Sequence, residues 1–495
     1  MNPTRLLPWV WLCIGLSWPG LAPASRAGRP QSVVRVNVTC QTCDFVRPWT
    51  KKTPYTLRGL GAILPNGRVL VTGEMVMDAT YVELERPQSG EKTAATVECV
   101  DYEANLAMLK PADARFLDEA KPLALAPAVV RQRVSLWQLE ANCELIATDG
   151  LLTSVEVSLY PVGDNSFLTY RFTSSLQLRD NSFTLPIVRE GRLVGLLMRH
   201  DSRTQTIEAV PQPIIEHFLK AAAAGPYRGF PSAGVHFTKT RDPQLRRYLG
   251  LNGAPDHKFT GGVYVASVLK NRPADRAGVK AGDVLLAIDG AAIDEDGNYN
   301  DPQYGRIALT HLISARHADG ETAKFRLLRG NNVTEIPITL SHQRADDYVV
   351  PPYSADRPPR YQVLGGLVLT ELTRQYLKEW GREWWKDAPL RMVYCDRFQT
   401  ELFQDDRKRL IILSQVLPSP LTIGCEELRY LIVTKLNGVE LRSFDDIAAA
   451  MAKPLNGFHK IEFEEDPKEI YLDAAQVAAS ETALMKLYGL PAMSR

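Results

Sequence analysis

Short apolar and alternating runs, broken by turn residues, fill the first part of the chain. SVVRVNV, GLGAILPNGRVLVTG, ATYVELE, ATVECVDY, NLAMLK, RVSLWQLE, LLTSVEVSLY, FLTYRFTSS and LVGLLMR are β-type segments lying between about residues 32 and 215. Many short strands at close spacing predict a sandwich or barrel. The series ends on PQPIIEHFLKAAAA, where a proline precedes a helix-forming run.

The pattern changes near residue 226. PADRAGVKAGDVLLAIDGAAI predicts a short helix, a glycine turn, a strand and a hairpin at Asp289-Gly290. Gly278 would end the helix and Gly282 would turn the chain into the strand. In YGRIALTHLISA, Leu309, Leu312 and Ile313 fall at helical spacing and predict a helix, although such a stripe also suits a core. The polar, proline-bearing RADDYVVPPYSADRPPR reads as a linker over 346–360. Beyond it, YLIVTKLNGVEL and SFDDIAAAMAK again give strand, Asn437-Gly438 turn and helix. Residues 226–345 and 361–495 therefore read as diverged copies of one module.

Residues 1–27 stand apart. MNPTR is a short positive start, LLPWVWLCIGLSWPGLA an apolar core, and Ala22, Ala24 and Ala27 supply small residues for cleavage. This predicts a secretion signal, a mature N-terminus at Ser25 or Gly28, and a secreted or periplasmic protein. A membrane anchor is the competing reading, opposed by Pro8 and Pro19. No other run approaches the length that spans a bilayer, so no span is expected after signal removal.

Composition adds restraint. Lys and Arg number 58 against 57 Asp and Glu, which gives no argument for a nucleic-acid or membrane-surface partner. Cys13 lies in the signal, leaving Cys40, Cys43, Cys99, Cys143, Cys395 and Cys425. CQTC lacks the second ligand pair of a zinc site and the βαβ setting of a redox pair. A local disulfide or buried thiols are expected, with no metal and no cofactor.

GGVYVASVLKNRPADRAGVKAGDVLLAIDG closely resembles a PDZ domain of the bacterial and plant type. The resemblance implies a carboxylate-binding loop at Ser232, Ala233, Gly234 and Val235. It implies a strand through Phe237 that receives a peptide as an added β-strand, and a helix bearing Leu309, Leu312 and Ile313 as the opposite wall. VLGGLVLTELTRQYLKEWG and the segments after it resemble the second PDZ-like domain of plant-type Deg proteases, a module serving assembly more than ligand capture.

Two such modules behind a β-rich domain resemble the HtrA/Deg serine proteases. The fold implied is mainly β: a trypsin-like double barrel over 32–222, followed by two PDZ-like domains. Carried over residue by residue, the catalytic residues are replaced. Glu74 stands at the histidine position and Asn105 at the aspartate position. Phe183 stands at the serine position, or Ser182 if one residue is inserted. Thr184 and Leu185 replace the glycine pair of the oxyanion turn, and none of the 8 histidines precedes His200. A serine without a positioned base is a poor nucleophile. Glu74 and Asn105 then read as ordinary solvated residues and Ser182 as a polar turn residue. These replacements imply a pseudoprotease, a homo-oligomer that binds protein C-termini or unfolded polypeptide without cutting it. The alternatives are a serine endopeptidase using Ser182 with Glu74 or His200, and a regulatory subunit of an active homologue.

Overall fold

The computed structural model describes residues 32–495 except 88, 141–143, 164, 252–260 and 404–405. The signal-type segment and Cys143 lie outside the described residues.

Strands β1 (Val33–Cys40), β2 (Tyr55–Ile63), β3 (Val69–Val71), β4 (Ala79–Glu85), β5 (Lys92–Asp101) and β6 (Leu106–Pro111) close into a barrel. Alternation in β1 sets its inside. Val34, Val36, Val38 and Cys40 join Val69, Val71, Leu84 and Leu109 in the core. Arg35 points the other way and meets Glu85 of β4 at 2.8 Å. A second closed barrel follows from β7 (Arg133–Leu139), β8 (Leu145–Leu159), β9 (Ser166–Ser174), β10 (Pro186–Arg189), β11 (Arg192–Asp201) and β12 (Thr206–Pro211). Helix α1 (Gln212–Ala223) starts on the proline and buries Ile214, Ile215 and Phe218.

The third unit holds β13 (Pro231–Ser232), β14 (Val235–Thr238), α2 (Pro243–Tyr248), β15 (Val263–Val268), α3 (Pro273–Arg276), β16 (Val284–Ile288) and β17 (Ala291–Ala292). It continues with β18 (Asn298–Asp301), β19 (Gly305–Ala308), α4 (Thr310–Ser314), β20 (Thr322–Arg329), β21 (Asn332–Thr339) and β22 (Ser341–His342). Its main sheet runs β14-β15-β16-β20-β21, so β14 is an edge strand. The turns need left-handed backbone: φ is 86° at Gly278, 98° at Gly282 and 81° at Gly290. One core runs without a break from the second barrel into this unit. Phe230 sits against Phe167 at 4.9 Å between ring centroids, and His217 stacks on it at 4.4 Å.

YGRIALTHLISA is not one helix. Gly305–Ala308 pairs with β18, and only Thr310–Ser314 is helical. The Asp301 carboxylate accepts the N–H groups of Gln303 and Tyr304 and closes a hairpin that the apolar spacing did not reveal. Beneath it, Tyr299 donates to Asp301 at 2.8 Å and lies 2.6 Å from His311 Nδ1. Burial pushes the His311 imidazole down to about 4. The unfolded chain therefore binds a proton near pH 6.5 that the folded chain refuses until about pH 4. Stability should fall as pH drops through that window, by about 3 kcal/mol at its end. His311→Gln should flatten that fall, measured as urea midpoints at about pH 7 and about pH 5. An unchanged pH slope would contradict it.

The last unit carries β23 (Tyr361–Leu364), β24 (Leu367–Glu371), α5 (Arg374–Lys378), α6 (Trp384–Asp387), α7 (Leu390–Arg397), α8 (Gln399–Leu402) and β25 (Ile411–Val416). Then come β26 (Leu431–Leu436), β27 (Val439–Glu440), α9 (Asp446–Met451), β28 (Phe458–Phe463), β29 (Glu469–Asp473) and α10 (Ala474–Tyr488). Its sheet runs β23-β24-β25-β26-β28-β29. The core of this order repeats the preceding unit, with β24 in the place of β14, but β23 fills the edge that β14 leaves open. Gly365 and Gly366, at φ 60° and 113°, turn β23 back onto β24. The final residues lie over β23: the Val363 N–H donates to the Met493 carbonyl at 2.7 Å, and the Arg495 N–H to that of Tyr361 at 2.9 Å.

The five described cysteines, Cys40, Cys43, Cys99, Cys395 and Cys425, are free thiols. CQTC therefore forms no local disulfide, and burial pushes the Cys40 thiol up to about 11. No helix among the described residues is long and apolar enough to cross a membrane.

Candidate functional site

Glu74 sits in a 3-10 turn, Gly73–Val76, after β3, and Asn105 in the loop between β5 and β6. The Asp101 carboxylate accepts the Ala104 N–H at 2.8 Å and tightens that loop. Asn105 there takes a left-handed φ of 54°, which asparagine tolerates better than most residues. The two residues bond each other twice. The Glu74 N–H donates to Asn105 Oδ1 at 2.9 Å, and Asn105 Nδ2 donates to Glu74 Oε2 at 3.1 Å. Neither is an ordinary solvated residue: Asn105 is 0% exposed and Glu74 is half-buried. Burial raises the Glu74 carboxyl above its usual range, against the Asn105 hydrogen bond and the charges of Arg199 and Lys378.

The segment before β10 is zipped to the first barrel. The Phe183 N–H donates to the Arg58 carbonyl at 3.0 Å, and the Thr184 carbonyl accepts the Leu60 N–H at 2.8 Å. Gly59 makes the approach possible, since a Cβ there would lie 2.7 Å from Thr184 Cγ2. The Ser182 N–H bonds the Arg179 carbonyl at 3.0 Å. Its hydroxyl accepts from Gln138 Nε2 at 2.5 Å and from the Arg179 N–H at 3.2 Å. Ser182 lies by a turn, as expected, but is only 3% exposed, while Phe183 is 40% exposed. His200, on β11, has a buried Nε2 without a hydrogen-bond partner. Among the described residues Ser182 is hydrogen-bonded neither to Glu74 nor to His200. Acyl transfer needs a hydroxyl within reach of a base and N–H groups aimed at the developing oxyanion. Here the N–H groups of Ser182 and Phe183 already serve carbonyl oxygens.

A second site lies where the third unit meets both barrels. A cavity of about 150 Å³ is lined by Ser232, Ala233, Gly234, Val235, Phe237 and Ile313, together with Phe167 of the second barrel and Glu103 of the first. Gly234 has a φ of 71°, and a Cβ there would lie 2.5 Å from that of Arg272. Its N–H donates to Ser232 Oγ at 3.1 Å. Leu309 and Leu312 do not line the cavity; both are buried in the shared core, and Thr310 and Ser314 of α4 line it instead. Sequence reasoning missed Glu103 and His342, which approach to 3.4 Å across 239 residues. Burial raises the Glu103 carboxyl. Burial also depresses His342, but its hydrogen bond to Glu103 and the charges of Glu103, Asp101 and Asp319 together hold it above its usual range.

Two closed barrels followed by two similar sandwich-like modules define a trypsin-like, PDZ-bearing architecture. PDZ domain models match residues 231–340 and 350–494. Protease Do-like 2, chloroplastic, of Arabidopsis thaliana is 26% identical over 93% of this chain and 74% of its own length. Protease Do-like 4, mitochondrial, of the same plant is 22% identical over 93% and 84%. Among solved structures, the HtrA-type protease AlgW with decapeptide aligns with a TM-score of 0.47 at 18% identity, covering 63% of this chain and 96% of that one. The chain belongs to the HtrA/Deg-type, PDZ-containing serine protease family. The expectation of a secreted or periplasmic protein does not hold: several relatives aligned over most of this chain are named chloroplastic or mitochondrial, which points to an organelle.

Proposed function

We propose that the chain is a pseudoprotease of this family, which holds extended polypeptide through its first PDZ block and does not cut it. We take 32–222 as the barrel unit, 226–345 and 361–495 as the PDZ blocks, and 346–360 as the linker. The observation that carries the reading is the bonding around Ser182 and Phe183. The Ser182 hydroxyl is held by Gln138 and the Arg179 N–H, and the N–H groups of Ser182 and Phe183 are satisfied within the protein. The Glu74–Asn105 pair supports the same reading, because it joins an acid to an amide where a base and its orienting carboxylate are required. Labelling with a fluorophosphonate probe, beside a casein-cleavage assay, tests it. No labelling and no cleavage above background is the expected result. Labelling lost in Ser182→Ala would overturn the reading.

The binding half rests on β14, a free edge strand beside a left-handed glycine turn. A peptide adding to it would gain main-chain hydrogen bonds and place its terminal carboxylate at the Ser232–Val235 loop. Binding of roughly micromolar strength, about 8 kcal/mol, is expected for such a short segment. Gly234→Glu should abolish it, because the new side chain collides with Arg272 and repels the carboxylate. Titration of the full chain with apolar-ended peptides, free and amidated, reads this out. Equal binding of the amidated forms would show that the loop does not read a carboxylate. Assembly into a homo-oligomer belongs to the same proposal, and sedimentation giving only a monomer would remove it.

A further inference from the structure

Between the Leu159 end of β8 and helices α5–α7 lies an open cleft of about 800 Å³, within the size range of ligand-holding pockets. Its charge is one-sided. Lys378, Arg382 and Arg397 line it beside Arg374, whose charge Asp396 matches, and no lining residue is acidic. Glu379 and Glu383, next to it in sequence, are engaged elsewhere, with Lys52 and with Lys386, each at 2.7 Å. Arg382 is exposed and enters no ion pair among the described residues. The lining also has apolar parts: Trp385 and Leu159 stand 45% and 46% exposed. Exposed aromatic and aliphatic side chains beside clustered cations form a surface with a definite complement.

We propose that this cleft is a second polypeptide-binding site, selective for acidic segments in which an apolar side chain lies among carboxylates. Glutamate or aspartate side chains would meet Lys378, Arg382 and Arg397, while the apolar residue would lie on Trp385 and Leu159. Arginine presents a flat fork that suits carboxylates, and cations set in a partly enclosed wall are screened less than isolated ones. A nucleic acid is the poorer fit. It requires cations repeated along a backbone, whereas this chain balances 58 basic against 57 acidic residues and gathers these few in one cleft. The site is independent of the first PDZ block, because it needs no free carboxyl terminus.

The test uses the full chain and a short blocked peptide alternating glutamate with leucine, acetylated and amidated so that no terminus is charged. Binding is followed by tryptophan fluorescence and calorimetry at low and physiological salt. The peptide should bind, more weakly at the higher salt. Lys378→Glu with Arg382→Glu should weaken it on the order of tenfold. Trp385→Ala should weaken it while leaving thermal unfolding unchanged, and Gly234→Glu should leave it intact. Failure of the first PDZ block to bind would not touch this result. Equal binding of a lysine–leucine peptide, an affinity unmoved by the double reversal, no binding at all, or tighter binding of a single-stranded oligonucleotide would each overturn the proposal.

Discussion

The triple variant Glu74→His, Asn105→Asp, Phe183→Ser should cleave casein about 10²–10³-fold more slowly than an active homologue, the loss that follows removal of one oxyanion donor. The substitutions restore side chains only. The N–H of residue 183 still points at the Arg58 carbonyl, and that of Ser182 at the Arg179 carbonyl. The Thr184 side chain still rests against Gly59, and its carbonyl still accepts from Leu60, so the strand-like path of this segment persists. Freeing the donor of residue 183 would require the segment to leave β2, and freeing that of Ser182 would require its own turn to open. A triple variant as fast as an active homologue would show that the turn rearranges at little cost, and the bonding argument would fail with it.

A large effect on stability is expected at Asp396→Ala. Arg374 on α5 donates two hydrogen bonds to Asp396 on α7, both at 3.1 Å, and the pair is almost out of solvent. Removing the carboxylate leaves a guanidinium buried with an important counter-charge gone, at a cost of about 3–5 kcal/mol. Lys386→Ala breaks the exposed pair with Glu383, worth about 0–1 kcal/mol. The unfolding transition of the last unit in urea should therefore move strongly in the first variant and barely in the second. Similar shifts in both would contradict the argument.

Much of the architecture was legible because its signals are local. Alternation in β1 separates Val34, Val36 and Val38 from Arg35 and Asn37 within one strand. Gly278, Gly282 and Asp289-Gly290 announce their turns because the backbone there is left-handed. The failures share a cause as well. Leu309 and Leu312 fit a helix stripe, yet a hairpin closed by Asp301 takes the residues before them. Glu103 reaches the PDZ cavity from a barrel loop 239 residues away from His342, and no periodicity reports such an encounter. The burial of Asn105 was hidden for the same reason, since it depends on Gly73 passing close to the β5–β6 loop. The N-terminal segment misled about location: hydropathy and small residues suggest that a segment is an address without naming the receptor that reads it.

Strand β23 makes the last PDZ block a lock supplied with its own key. It is joined to β24 by two glycines, so its effective concentration at that edge is on the order of millimolar or more. A free peptide must compete with that tethered copy, and one that binds the open block at micromolar strength would gain little hold here. The same occupation removes a row of unpaired N–H and carbonyl groups that would otherwise recruit the sheet edge of a neighbouring chain. Of two related modules, one thus stays available to strangers, while the other is reserved for residues of its own polypeptide.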